Sequence, residues 1–257
     1  MGTTSRTSHA VLVAVVLFFF AHLPGSSLAS RPFVTEDAGV AGKGVFQVEL
    51  SWDHLKWRNN DREHVLTLVP IFGFSDEVEL SFEIPIMSHD HVGRDGNTGI
   101  GDINFVTKYL LIDERDILPA FALKTVVKMA TGSVEGGLGS GAIDYGVVAV
   151  ASKQLGDVLL HAMFGYTFIG KNGDANVRDI VLHGIAAEYA ITEHAHLVAE
   201  IAGNRHPDRM VDEHPNAALF GAAFTFTEHL MVDASMKLGL NSVALDWNTA
   251  FGMTLSL

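Results

Sequence analysis

From Leu230 to Leu240 the chain alternates. Leu230, Val232, Ala234, Met236, Leu238 and Leu240 share one parity, and Met231, Asp233, Ser235, Lys237 and Gly239 share the other. A helix would mix the two sets on each face, whereas a strand separates them. The C-terminus repeats the pattern, with Trp247, Thr249, Phe251, Met253, Leu255 and Leu257 in one row and Asn248, Ala250, Gly252, Thr254 and Ser256 in the other. Phe46, Val48, Leu50 and Trp52 alternate with Gln47, Glu49, Ser51 and Asp53, and Val78, Leu80, Phe82, Ile84 and Ile86 alternate with Glu79, Ser81, Glu83, Pro85 and Met87. Such patterning predicts about twelve strands, near 44–57, 62–74, 78–88, 100–112, 119–131, 142–154, 158–170, 179–191, 195–204, 216–226, 230–240 and 246–257. Many are about 10–13 residues long. A tilted strand crossing a bilayer needs about 9–11 residues, whereas strands of globular proteins average about 5–6. Two segments, 65–74 and 180–191, are apolar at both parities, which suits a bulge or packing against a filled lumen. Pro70 and Pro85 each remove a ladder hydrogen bond and point to bulges or strand ends.

The connections sort into two classes. Those at 75–77, 113–118, 155–157, 192–194 and 227–229 are short. They alternate with 90–99, 132–141, 171–178 and 205–215, which are longer and rich in Gly, Asp and Asn, and with two short links at 58–61 and 241–245. Alternating short turns and long loops is expected of a transmembrane barrel with one end in the periplasm and the other outside. An even strand number then puts both termini on the short-turn, periplasmic side. The expected fold is therefore all-β, a single antiparallel transmembrane β-barrel of about twelve strands over residues 30–257.

The first 29 residues differ. Arg6 is their sole charge, an apolar run follows from Ala10 to Leu23, and Ser27-Leu28-Ala29 supplies a small-x-small end. That is the pattern of a secretory signal peptide cleaved after Ala29 or Ser30. The apolar run is short for a spanning helix, and no later uncharged run reaches the length that one needs. Beyond residue 29, 16 Lys and Arg face 30 Asp and Glu, a formal charge of −14, which argues against a nucleic-acid partner. With no cysteine, the exported chain is held by packing and hydrogen bonds alone.

After the signal the chain reads Arg31-Pro32-Phe33-Val34-Thr35-Glu36-Asp37-Ala38-Gly39, then Gly42-Lys43-Gly44 and the strand from Val45 to Leu50. Further on come Gly99-Ile100-Gly101-Asp102, Thr131-Gly132, Gly137-Leu138-Gly139-Ser140-Gly141 and Asp144-Tyr145-Gly146. These motifs, spread over the whole mature chain, resemble the transporter family named for the meta-pathway of phenol degradation. Glu36 stands where that family more usually has Asp, and the chain ends in Leu257 where outer-membrane barrels often end in an aromatic that assists assembly. The resemblance implies an outer-membrane barrel of a Gram-negative cell that passes small, often aromatic or apolar, solutes. Its implied partners are membrane lipid, lipopolysaccharide and the barrel-assembly machinery. It supplies no catalytic residues and no cofactor.

Candidate chemistry is sparse. The glycine-rich 136–141 run lacks the strand–turn–helix context of a phosphate loop. His89-Asp90-His91, and the set His206, Asp208, Asp212, Glu213 and His214, carry metal-ligand types, but their spacing matches no closed site and solvated loops are the expectation. A hydrolase barrel would need a Ser–His–acid arrangement, and there is no Gly-x-Ser-x-Gly elbow. An enzyme is not expected. The expected inward rows carry Glu49, Glu79, Glu83, Asp102, Lys108, Lys124, Lys128, Asp144, Glu200, Asp233 and Lys237. These are either the lining of a solute path or a mutually neutralising filling that stabilises a narrow barrel. Passive diffusion of a small solute is the functional expectation. A non-conducting structural or adhesive barrel, and a soluble exported β-sandwich, are the alternatives.

Overall fold

The structure is a computed structural model that describes residues 31–90, 96–173 and 176–257. The expected signal peptide, and His91, lie outside the described residues. Thirteen strands follow in order. They are β1 (Phe46–Lys56), β2 (Arg62–Gly73), β3 (Val78–Asp90), β4 (Asn97–Ile100), β5 (Ile103–Ile112), β6 (Ala120–Met129), β7 (Asp144–Leu155), β8 (Val158–Phe168), β9 (Ile180–Ala190), β10 (Ala195–Asn204), β11 (Asn216–Thr227), β12 (Leu230–Gly239) and β13 (Trp247–Ser256). Every pairing is antiparallel and joins neighbours around a ring, which β1 closes against β13 from Gln47↔Ser256 to Lys56↔Trp247. Strands β4 and β5 both pair with β3 and form two halves of one stave, so the barrel has twelve staves.

The break has a local cause. Ile86 pairs with Ile100 and Glu83 with Asn104, a one-residue change of register across Gly101 and Asp102. Pro85 faces this break and accepts a hydrogen bond from Gly101 N–H at 2.9 Å. Its irregularity is thus expressed on the neighbouring strand. Pro70 shifts no register, but it interrupts one ladder: the β1–β2 pairing runs through Val48↔Pro70, while the β2–β3 pairing skips Val69 and Pro70 between Leu68↔Ile84 and Ile71↔Ser81. The register shifts elsewhere, at Leu110/Ile112 and Thr225/Thr227, fall beside short turns.

The distribution of polarity is inverted relative to a soluble domain. Ile185, Phe220, Phe164 and Ile201 are among the most exposed strand residues, at 58–68 %. Gln47, Glu49, Lys108, Glu200, Asp233 and Asn248 are buried. Outward side chains therefore form the apolar belt that faces lipid, and inward ones are polar, as in membrane barrels. Aromatic residues gather at both rims. Phe46, Tyr109, Phe121, Tyr189 and Phe226 lie near the short-turn ends, and Tyr145, Tyr166, Phe168 and Trp247 near the loop ends. Such rings suit the two lipid–water interfaces.

Candidate functional site

The site is the lumen, and residues 31–45 occupy part of it. The chain before β1 folds back into the barrel instead of extending from the short-turn rim. Arg31 pairs with Asp233 at 3.2 Å. Val34 N–H and Thr35 N–H both donate to Glu200 Oε2, at 2.7 and 2.9 Å. Ala38 N–H donates to Ser152 Oγ at 2.8 Å, and Ala41 N–H to Glu79 Oε2 at 2.6 Å. Lys43 N–H reaches Asp76 in the first short turn. Glu79 is the second residue of β3, while Glu200 is the sixth of β10, so the segment rises from the rim at Lys43 to its deepest point near Thr35. Gly44, with φ +80°, takes the left-handed turn that redirects the chain into β1.

The wall is cut to fit this plug. Thr35, Ala38 and Ala41 are almost fully buried. Ala38 packs with Ala122, Val148, Val150 and Met163, and Ala41 packs with Val45, Ile71 and Val69. Here the two doubly apolar segments find their explanation: the inward residues Val69 and Ile71 of β2 and Leu182 of β9 pack in or against these clusters. Two inward glycines admit the plug closely. A Cβ on Gly184 would collide with Thr35 Oγ1, and one on Gly252 would collide with both members of the Arg31–Asp233 pair.

All eleven charged candidates can now be placed. Lys124 contacts Glu36 at 2.5 Å and Glu83 at 3.1 Å. Lys108 contacts Glu79 at 3.3 Å, Glu36 at 3.8 Å and Asp37 at 3.9 Å. Lys128 joins Asp144 at 2.5 Å and Asp102 at 3.6 Å. Asp233 and Glu200 hold the plug as described. Glu49 accepts from Gln47 Nε2 at 3.1 Å. Lys237 lies on the inner face of β12 without a hydrogen bond or a carboxylate within 4.0 Å among the described residues. Many of these charges thus pair with the plug as well as across the wall. Burial pushes the Glu36 carboxyl up, but Lys124 and Lys108 together outweigh this and hold it below its usual value. Asp102, in the β4–β5 break, accepts from Gly132 N–H and Ser140 N–H, both at 2.9 Å, and so fastens the glycine-rich loop.

The charged-row reading passes over Arg31, Glu36 and Asp37, which precede the first strand, over Ser152, His161 and Asn248, which carry no formal charge, and over Asp53, a charged residue of β1. Their alternation was visible for Asp53, Ser152 and Asn248. The plug amides have no side-chain signature. Ser152 Oγ lies 2.8 Å from His161 Nδ1, with the Phe33 ring tilted against the imidazole at 5.5 Å between centroids. The loop groups of the second metal-type set bond within their own region: Asp208 accepts from Met210 N–H, and His206 Nδ1 from Asp208 N–H. No cluster of three or more metal-ligating side chains occurs among the described residues.

Two spaces border the plug. The larger, about 720 Å³, fills the loop-side half of the lumen. Val34 and Glu36 of the plug lie on its boundary, Val126, Val148, Met163 and Leu182 give it an apolar wall, and His206, Pro207 and Val243–Leu245 from the loops complete it. The smaller, about 270 Å³, runs beside the plug along β1, β2 and β3 and is polar, with Glu49, Ser51, Asp53, Thr67 and Ser81 on it. Val34, Glu36, Glu83, Lys124 and Lys237 border both.

Comparison with known proteins supports this architecture. An outer membrane channel from Pseudomonas putida F1 superposes with a TM-score of 0.71 at 12% identity, over 88% of this chain and 100% of that one. The KdgM porin, solved in complex with disordered oligogalacturonate, gives 0.56 at 9% identity over 81% of this chain and 99% of that one. The translocator domain of the autotransporter NalP from Neisseria meningitidis gives 0.51 at 11% identity over 98% of this chain and 97% of that one. At these identities the likeness is one of fold. A search of curated protein sequences found no match. The model of the family described as "Putative MetA-pathway of phenol degradation" matches residues 29–257, and this transmembrane barrel with its inserted N-terminal plug belongs to that family.

Proposed function

We propose that the chain, released by cleavage of a signal peptide over residues 1–29, is an outer-membrane channel that passes small, apolar or aromatic solutes by passive diffusion. The observation that carries this reading is the loop-side cavity of about 720 Å³, whose apolar wall of Val126, Val148, Met163 and Leu182 stands inside an otherwise polar lumen. A barrel that served only as a scaffold would gain more from filling that space, because interiors pack densely and voids cost stability. The eleven charged residues act in this reading as the wall of the path and as the clamp on its plug. Lipid and lipopolysaccharide surround the apolar belt, and the barrel-assembly machinery inserts it.

The Ser152–His161 contact supports plug anchoring rather than hydrolysis. Ser152 Oγ already accepts Ala38 N–H, both side chains are buried, and neither borders the two lumen spaces. Liposome swelling with phenol and with glucose, run beside planar-bilayer recordings, tests the proposal. Faster entry of phenol than in empty liposomes, with glucose excluded, is the expected result. Well-folded protein that admits neither solute and carries no current would overturn it in favour of a non-conducting barrel.

A further inference from the structure

We propose that Lys237 is an anion-recognition site in the loop-side cavity, and that the preferred ligand is a small organic monoanion with an apolar body. The proposal rests on the channel reading above and names the substrate class for the same cavity. Lys108, Lys124 and Lys128, which also face the lumen, each have a carboxylate within 4.0 Å. Among the described residues Lys237 has none, and it makes no hydrogen bond with them. Its three ammonium donors are therefore uncommitted, although it borders both lumen spaces. An ammonium that opens on the lumen with no protein acceptor is free to take one from a solute.

Register explains why no wall residue meets that demand. Lys237 pairs across the strands with Leu219 on one side and Asn248 on the other. Glu200 lies beyond Leu219 in the same lateral row, two strands from Lys237 and so about 9.5 Å away between backbones. Its Oε2 already holds the plug amides of Val34 and Thr35. Asn248 Nδ2 donates to Asp53 Oδ1 at 3.0 Å, which engages the nearest carboxylate of β1. Neither Glu200 nor Asp53 comes within 4.0 Å of the ammonium among the described residues, so neither takes its donors. In the same cavity Val148, Met163 and Leu182 offer an apolar surface, so one small molecule can satisfy the cation with an anionic end and the wall with its body.

Titration of benzoate, acetate and benzyl alcohol into the detergent-solubilised full mature chain tests this, alongside liposome flux of the same three probes. Benzoate binding is expected to exceed that of acetate, which lacks the apolar body, and of benzyl alcohol, which lacks the charge. Lys237→Met is expected to lower benzoate affinity about tenfold and to lower the benzoate-to-benzyl-alcohol flux ratio by a similar factor, with Lys237→Arg restoring most of both. Heat-modifiable gel mobility checks that each variant is a folded barrel, and Lys237→Gln replaces the methionine variant if that one does not fold. Benzoate binding that changes less than twofold in the folded variant, or no benzoate binding to the parent, overturns the site. If benzoate binds in a Lys237-dependent way but no probe crosses the liposome wall, the site stands and the channel reading falls. If benzyl alcohol crosses while benzoate does not bind, the channel stands and the site falls.

Discussion

Glu36 is the residue on which the plug's electrostatics converge, since its two oxygens reach Lys124 and Lys108, cross-strand neighbours on β6 and β5. Its folded pKa lies below the ordinary value of 4.5. A depressed carboxylate contributes stability that is complete above the unfolded pKa and is lost as the pH falls through the folded one. The Glu36 contribution to plug docking should therefore be constant from neutrality down to the ordinary carboxylate range and be lost only below it. Amide hydrogen exchange of residues 33–41, compared between the parent and Glu36→Gln against pH, checks this, and a difference already shrinking between pH 7 and 6 would count against Glu36 as the anchor. Glu36→Gln should remove the acid-dependent step and lower protection at neutral pH. Removing one member of a buried pair costs about 3–5 kcal/mol when the partner is left alone. Here the loss should be smaller, because Lys124 keeps Glu83 and Lys108 keeps Glu79 and Asp37.

At the scale of elements, the strands were legible because their signal is local. A period of two needs only neighbouring residues, and the bilayer demands it over ten residues or more. The expected 195–204 strand coincides with β10, and most other boundaries fall within one or two residues of those observed. The exception is the stave expected at 100–112, which starts earlier and is interrupted. Its cause lies in the glycine-rich loop: Asp102 leaves the ladder to bind Gly132 and Ser140, some thirty to forty residues away. Asp102→Ala should release that loop, so limited proteolysis within 132–141 should quicken while the barrel keeps its heat-modifiable mobility. Unchanged cleavage would mean that Leu138, packed near Gly99 and Gly101, fastens the loop by itself. The outward rows make a separate prediction. Ile185 is 68 % exposed near the middle of β9, where an outward side chain meets hydrocarbon. Ile185→Arg should cost about 2–4 kcal/mol, read from reversible unfolding in lipid vesicles. An inward change such as Thr167→Arg, facing the wet cavity, should cost less.

At the scale of the molecule, the plug was hidden for a physical reason. The opening motif was visible as a string of letters, but its role is carried by backbone amides of Val34, Thr35, Ala38 and Ala41, which any residue but proline supplies. Their acceptors lie 38 to 166 positions away, beyond any local period. The eleven inward charges were legible one by one, yet their partners were not, because half of the pairing belongs to a segment with no strand pattern. This arrangement sets what removal of the plug should do. The ladder closes through Phe46 and Leu257, which exchange backbone hydrogen bonds at 3.3 and 2.7 Å, so the ring does not need residues 31–43. Deleting those residues while keeping 1–30 would leave Lys108, Lys124, Glu200 and Asp233 facing water, where hydration replaces the lost partners at modest cost. The loop-side cavity would then join the polar space along β1 to β3. Planar-bilayer recordings should show a several-fold larger unitary conductance than the full chain, and glucose, excluded before, should enter liposomes. Unchanged conductance from a folded deletion variant would mean that wall side chains, rather than the plug, close the lumen, and the solute path would have to be sought through the barrel wall.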